Sequence, residues 1–235
     1  ITIVVAILIL LTSTGIKTNK FNNLINEKVN EIDPKIKLKL NEVNFKLNPS
    51  NFKFEVSTLD PQIAINEKNI DLENIKFDLN IFDYIGNKNP ISEISIISKE
   101  NDINQFTDFI NEYDFNLARN LILKQIKKGK VKLISKITFD EKSPKNIKYT
   151  FNGSVSDAEI KLPNQLKIEN IKFDFLVDQD VINLNEIELS FDKFLIASEK
   201  IRIKKINNYF EISGNFKTNE TLSLIHISEP TRRLV

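Results

Sequence analysis

The sequence predicts a mainly β protein: a long, curled and twisted antiparallel sheet open as a groove, with an N-terminal membrane-anchor helix and one inserted helix or helix pair. Three observations carry that expectation. Apolar residues fall at every second position over most of the chain, most plainly in residues 166–191, LKIENIKFDFLVDQDVINLNEIELSF. Successive side chains on a strand point to opposite faces, so this period gives a sheet apolar on one side and solvated on the other. The first 16 residues carry no charge, and over residues 102–126 the apolar spacing changes to three and four.

Residues 1–16, ITIVVAILILLTSTGI, open the chain. A spanning helix takes about 20 apolar residues. The run therefore reads as an uncleaved anchor over 1–18 whose upstream part is missing, or as the apolar region of a signal peptide cleaved near 13–15. Phe21, Leu24, Ile25, Val29 and Ile32 recur at helical spacing, so an amphipathic helix is expected over 19–33, continuous with the apolar run; that continuity favours the anchor.

Pro34 ends this helix and begins a first β segment, residues 34–100. Strands are expected around Ile36, Leu38 and Leu40, around Val43, Phe45 and Leu47, and, past the turn at Asn48, Pro49 and Ser50, around Phe52, Phe54 and Val56. Asp60 and Pro61 close the last of these. Ile63 and Ile65, then Ile70 through Leu79 and Ile81, then Ile91, Ile94 and Ile96 beyond a loop at 86–90, complete the segment.

A helical insertion is expected over 101–129. Ile103, Phe106, Phe109, Ile110 and Tyr113 share one helical spacing, and Leu117, Leu121, Ile122 and Ile126 another, with a break near 114–116 and a stop at Lys127, Lys128 and Gly129. Alternation resumes in a second β segment, 130–218: Val131 to Phe139, a turn at Ser143 and Pro144, Ile147 to Leu162, a turn at Pro163 and Asn164, the stretch quoted above, and strands ending with Phe210, Ile212 and Phe216.

One small unit recurs: LNEV at 40–43, LENI at 72–75, IENI at 168–171 and LNEI at 184–187. Spacing the apolar residues by three flips the phase of the alternation. A two-residue hairpin would do this, but these pairs lack the glycine that tight primed turns favour. A β-bulge inside a long strand is favoured, because it returns the apolar side chains to the same face and adds twist.

Composition narrows the chemistry. At 41% hydrophobic and 28% charged, the 235 residues have a folding composition. Lys plus Arg at 33 against Asp plus Glu at 32 leaves little net charge, and with no basic patch clustered on one segment a nucleic-acid partner is not expected. The absence of Cys removes disulfides, thiolate metal sites and a Cys nucleophile. The one His, His226, lies in residues 223–232, SLIHISEPTR, which break the texture of the chain. That tail resembles translated sequencing-adapter read-through, so 219–235 is expected to be artefactual and the natural chain to continue. No metal, cofactor or catalytic residue is expected, and the abundant carboxylates alternate with Lys as a solvated face does. Lys127, Lys128 and Lys130 could meet anionic headgroups, but a charge match to a helix C-terminus accounts for them more simply.

About a dozen strands share one apolar face, and one helix pair cannot cover it. The sheet either closes on itself as a dry sandwich or barrel, or leaves a trough for an apolar ligand. The Phe-rich composition, 17 Phe and no Trp, and the scarcity of glycine favour the trough. Its candidate lining residues are Phe45, Phe52, Phe54, Phe77, Phe151, Phe173, Phe175, Leu189 and Phe191; for each, ordinary core packing is the competing reading.

Residues 21–29, FNNLINEKV, followed by IKLKLNEVNFKL, and the later run from GKVKLISKITFD to LNEIELSFDKFLIAS, resemble the AsmA-like family, in the branch related to YhdP and TamB. The resemblance covers residues 1–219 and is one of pattern, with no catalytic signature. It implies a single-pass inner-membrane protein with its bulk in the periplasm and a repeating β-groove that carries phospholipid between inner and outer membranes. Its implied partners are phospholipid, the inner membrane through the N-terminal helix, and the remainder of its own longer chain. The alternative expectation is a structural or scaffolding envelope protein with a dry core and no lipid cargo.

Overall fold

The computed structural model describes residues 9–20, 22–86, 91–114, 117–139, 147–162, 166–206 and 209–218. Phe21, the start of the uncharged run, the turns expected at 143–144 and 163–164, and the tail at 219–235 lie outside the described residues. The chain divides into two compact units, one of Ile1–Lys99 with Ser135–Tyr149, the other of Glu100–Ile134 with Thr150–Val235.

The first unit holds β1 (Ile16–Thr18), β2 (Ile36–Lys39), β3 (Glu42–Asn48), β4 (Lys53–Leu59), β5 (Gln62–Ile65), β6 (Lys68–Asn80) and β7 (Ile91–Ser98), with helices at Asn22–Ile32 and Ile81–Ile85. The second holds β8 (Asn101–Asp102), most of β9 (Ile126–Phe139) and of β10 (Ile147–Lys161), then β11 (Lys167–Asp178), β12 (Val181–Phe191), β13 (Phe194–Ile206), β14 (Tyr209–Gly214) and β15 (Lys217–Thr218). Its helices are Ile103–Tyr113 and Leu117–Leu123. The hydrogen-bonded order β1-β3-β4-β6-β7-β9-β10-β11-β12-β13-β14 starts and ends on different strands, so the antiparallel sheet is not closed into a barrel.

The N-terminal region departs from expectation. Residues 9–13 are helical, but Gly15 turns out of that helix at φ 76° and Ile16–Thr18 pair with β3. The amphipathic helix Asn22–Ile32 is therefore separated from the apolar run by a strand. Gly15 permits this because it lacks a Cβ: one would lie 2.8 Å from the Phe45 carbonyl oxygen. Asn22 Nδ2 donates to the carbonyl oxygens of Leu40 and Asn41, and Leu38 N–H donates to Asn26 Oδ1, which fixes the helix against β2. Among the described residues no helix is long and apolar enough to cross a membrane, a statement about helices alone.

Three of the four recurring units are strand irregularities and one is not. LENI lies inside β6, IENI inside β11 and LNEI inside β12, with no chain reversal at any of them. LNEV is a corner: β2 ends at Lys39 and pairs β5, while β3 begins at Glu42 and pairs β4. The bulges of the second unit are coordinated. Against β11, β10 gains a residue between Val155 and Ala158; β11 gains one between Ala158 and Ile160 of its partner, and the pairing of β11 with β12 shows the same compensation. Asp157, Asn170 and Glu186 sit at these points with φ of 51°, 52° and 50°. Each extra residue is offset by one in the neighbouring strand, so the apolar side chains on either side return to the same face.

The helical insertion holds two helices, and the second ends at Leu123; of the break expected at 114–116, Asp114 is extended and 115–116 lie outside the described residues. Ile126, Lys127, Lys128 and Gly129 belong to β9, not to a helix stop. Asp102 caps Ile103–Tyr113: its side chain accepts from Asn104 N–H while Gln105 Oε1 accepts from Asp102 N–H, satisfying two donors the helix start would leave unpaired.

Candidate apolar binding faces

Strand register gathers the alternating apolar residues into rows that cross each unit. In the first unit Ile16 stands opposite Phe45, Phe45 opposite Val56, Val56 opposite Phe77 and Phe77 opposite Ile94. A parallel row joins Leu47, Phe54 and Leu79. These rows border a cavity of about 340 Å³ lined by Leu11, Ile16, Thr18, Phe45, Phe54, Val56 and Leu79. The lining presents almost nothing but hydrocarbon, and cavities of this size fall in the range that holds small ligands.

In the second unit one row runs Phe151, Val177, Ile182, Ile203, Ile212, and the next runs Gly153, Phe175, Leu184, Ile201, Gly214. Phe173 and Phe175 lie with ring centroids 6.4 Å apart. Gly153 leaves room for this packing: a Cβ there would approach Phe175 Cζ to 2.8 Å and would collide with the Lys132 carbonyl oxygen. Phe191 stands opposite Phe194 and Ile168 at the far end of the same face.

Part of this face is covered. Val131, Val155, Ala158 and Ile171 are buried, with Ile103 and Phe106 of the helix packed on them together with Ile160, Ile168, Phe173, Phe175 and Leu189. Phe151, Val177, Ile182, Leu184, Ile201 and Ile203 stay half-buried, and Ile212 is 51% exposed.

Of the nine residues singled out from sequence, Phe45 and Phe54 line the cavity and Phe77 extends its row. Phe173, Phe175 and Leu189 border the helix-covered cluster, and Phe151 and Phe191 lie on rows beyond it. Phe52 joins neither group. It occupies the turn between β3 and β4 at φ 52°, 55% exposed, and its ring meets Phe82 edge to face with centroids 6.0 Å apart. Sequence reasoning passed over Leu11 and Ile16, which it assigned to the anchor, and Val56 and Leu79, whose alternation carried the signal without the aromatic ring.

Electrostatics on these faces is sparse, and charge gathers on the opposite side. Lys99 Nζ meets Asp60 Oδ1 at 2.6 Å and Lys130 Nζ meets Glu100 Oε1 at 2.8 Å; these hydrogen bonds raise both lysines above their ordinary range. No group of His, Cys, Asp and Glu among the described residues could hold a metal ion. Comparison of the chain with protein-family models, with curated proteins and with solved structures gives no significant match.

Proposed function

We propose that the protein is a membrane-anchored envelope protein that binds or conducts phospholipid acyl chains along hydrophobic β faces, serving lipid transport between inner and outer membranes. It would be held at the inner membrane by one N-terminal pass with its bulk in the periplasm, and its groove would continue in further chain. The observation that carries the reading is the rows of Phe, Ile, Val and Leu that remain only half-buried, together with the hydrocarbon-lined cavity bordered by Leu11 and Phe45. A solvated apolar surface of this kind is a liability unless something apolar occupies it.

The mechanism needs no catalytic group. Each methylene removed from water gains about 0.8 kcal/mol, which holds an acyl chain without a directional bond. Successive rows offer nearly the same hydrocarbon surface, so displacement by one strand spacing exchanges like contacts for like and meets no deep minimum.

The test is lipid content. Replacing Phe151, Ile182 and Ile203 together by Asp is expected to remove co-purified phospholipid while far-UV circular dichroism keeps its strand signal. Unchanged lipid content with the sheet intact would overturn the proposal. The helix-covered cluster at Val131, Val155, Ala158 and Ile171 favours a second reading, a scaffold with a dry core and no cargo; that reading expects no lipid in the unmutated protein.

A further inference from the structure

The helical insertion carries an apolar stripe that the sheet does not use up. Ile103, Phe106, Ile110 and Tyr113 follow one another at three and four residues and so share a face. Ile103 and Phe106 pack on the buried cluster, whereas Ile110 and Tyr113 are 40% and 42% exposed. The next helix, Leu117–Leu123, has exposed leucines of its own: Leu117 and Leu121 are 64% and 55% exposed, and with the exposed Lys124 they fall at i, i+4 and i+7, on one side.

Charge is segregated around this stripe. From residue 115 to residue 139 the chain carries Arg119, Lys124, Lys127, Lys128, Lys130, Lys132 and Lys136 and no Asp or Glu; this run corrects the expectation, drawn from the near-neutral total, that no segment is basic. Lys128 shares Glu159 with Lys167, and Lys130 is paired with Glu100. Lys127 Nζ donates to the Lys124 carbonyl oxygen at 2.6 Å, which holds the Lys127 ammonium against the backbone just past the helix, where Lys124 is also exposed. The acids of the first helix, Asp108 and Glu112, are exposed about half a turn around the helix from the stripe, and Asp114 caps its end.

We propose that this surface docks on an anionic phospholipid bilayer, with Leu117 and Leu121 entering the headgroup–acyl boundary and Lys124 and Lys127 meeting the headgroup phosphates. Exposed leucines beside lysines, with the acids turned away, match the two-sided chemistry of such an interface. A neutral apolar partner would leave the lysines without counter-charge. This contact is separate from occupancy of the β faces and from the N-terminal run, and it holds the second unit's helices against lipid.

The protein contains no Trp, so Leu121→Trp in the full chain gives a single emission that reads this surface alone. Vesicles of phosphatidylcholine with phosphatidylglycerol are expected to shift that emission to the blue, and phosphatidylcholine alone to leave it nearly unmoved. Leu176→Trp, at an exposed position of β11, serves as the unshifted control. Changing Lys124 and Lys127 to Gln in the Leu121→Trp protein is expected to weaken binding about 25-fold, at about fivefold per lysine. Leu117→Asp should weaken it by at least about tenfold. Three outcomes would overturn the proposal: no shift, an equal shift with neutral vesicles, or a shift that follows protein concentration without vesicles, the mark of a second copy on this face. None of them bears on lipid co-purification, so the groove reading stands or falls separately.

Discussion

Within the second unit, one apolar face is built in two ways. At Val131, Val155, Ala158 and Ile171 it is buried beneath Ile103 and Phe106, while along Phe151, Val177, Ile182 and Ile203 the same alternation is left half-buried. Both parts have Ile, Val and Phe at strand period, so composition does not separate them. The difference is where the helix Ile103–Tyr113 lies, and its capping box at Asp102 together with the coordinated bulges of β10 and β11 marks that place. Covered surface stabilises the fold; uncovered surface is free to take a ligand.

Mutations can sharpen this contrast, and the largest effect is expected where space is tightest. Gly153→Val would drive a side chain into the Lys132 carbonyl oxygen and the Phe175 ring. A loss of about 3 kcal/mol or more is expected in urea unfolding. Next comes truncation in the two parts of the face. Ile171→Ala, at 7% exposure, should cost about 2–4 kcal/mol, and Ile203→Ala no more than about half of that. Equal losses at the two sites would mean that both are covered, and would favour the dry scaffold.

Smaller effects test what positions the helix. Glu186 adopts φ 50°, a conformation that costs a residue with a Cβ about 1–2 kcal/mol. Glu186→Gly should therefore stabilise the protein by about 0.5–1 kcal/mol, and Glu186→Val should destabilise it. A loss on Glu186→Gly would show that the bulge is not a site of left-handed backbone. Asp102→Ala removes the cap and should lower stability by about 1 kcal/mol, with faster amide exchange confined to the first turn of Ile103–Tyr113.

The smallest effect concerns the sheet edge. Lys217 Nζ donates to Glu199 Oε1 at 2.6 Å, and that hydrogen bond lowers the Glu199 carboxyl below its ordinary value. A group whose folded pKa is depressed adds stability above its unfolded pKa and loses it as pH falls through the folded one. Protection at Thr218, taken relative to the intrinsic amide exchange rate at each pH, should thus fall on acidification below about pH 4, slightly, because both side chains are exposed. No change at Thr218 would remove this pair from the hold of β15 on β13.

Much of this fold is legible in the sequence, because period 2 is a local property. Most of the strands, the division of the insertion into two helices and the in-strand bulges at LENI, IENI and LNEI follow from spacing alone, whereas β1 falls in the run read as an anchor and β8 in the expected helical insertion. What escaped depends on partners that spacing does not name. LNEV has the same spacing as the bulges, yet β2 and β3 pair different strands, so it became a corner. Ile126 fits a helical spacing and Lys127 to Gly129 a helix end, but β9 draws them into strand pairing. Phe52 continues the alternation and still falls in a turn, since Asn48 to Asn51 do not complete the reversal by themselves. Which stretch of the apolar face is covered was not legible, because that is set by where a helix comes to rest.

Neighbouring residues of β11 offer the most direct test of the central claim. Phe175 and Val177 belong to the apolar face, and Leu176 between them points to the other side. A photoreactive benzophenone side chain placed at each position in turn, in the full chain in its native membranes, is expected to cross-link phospholipid at 175 and 177 and not at 176. Absence of lipid adducts at 175 and 177, or equal adducts at all three, would contradict the account.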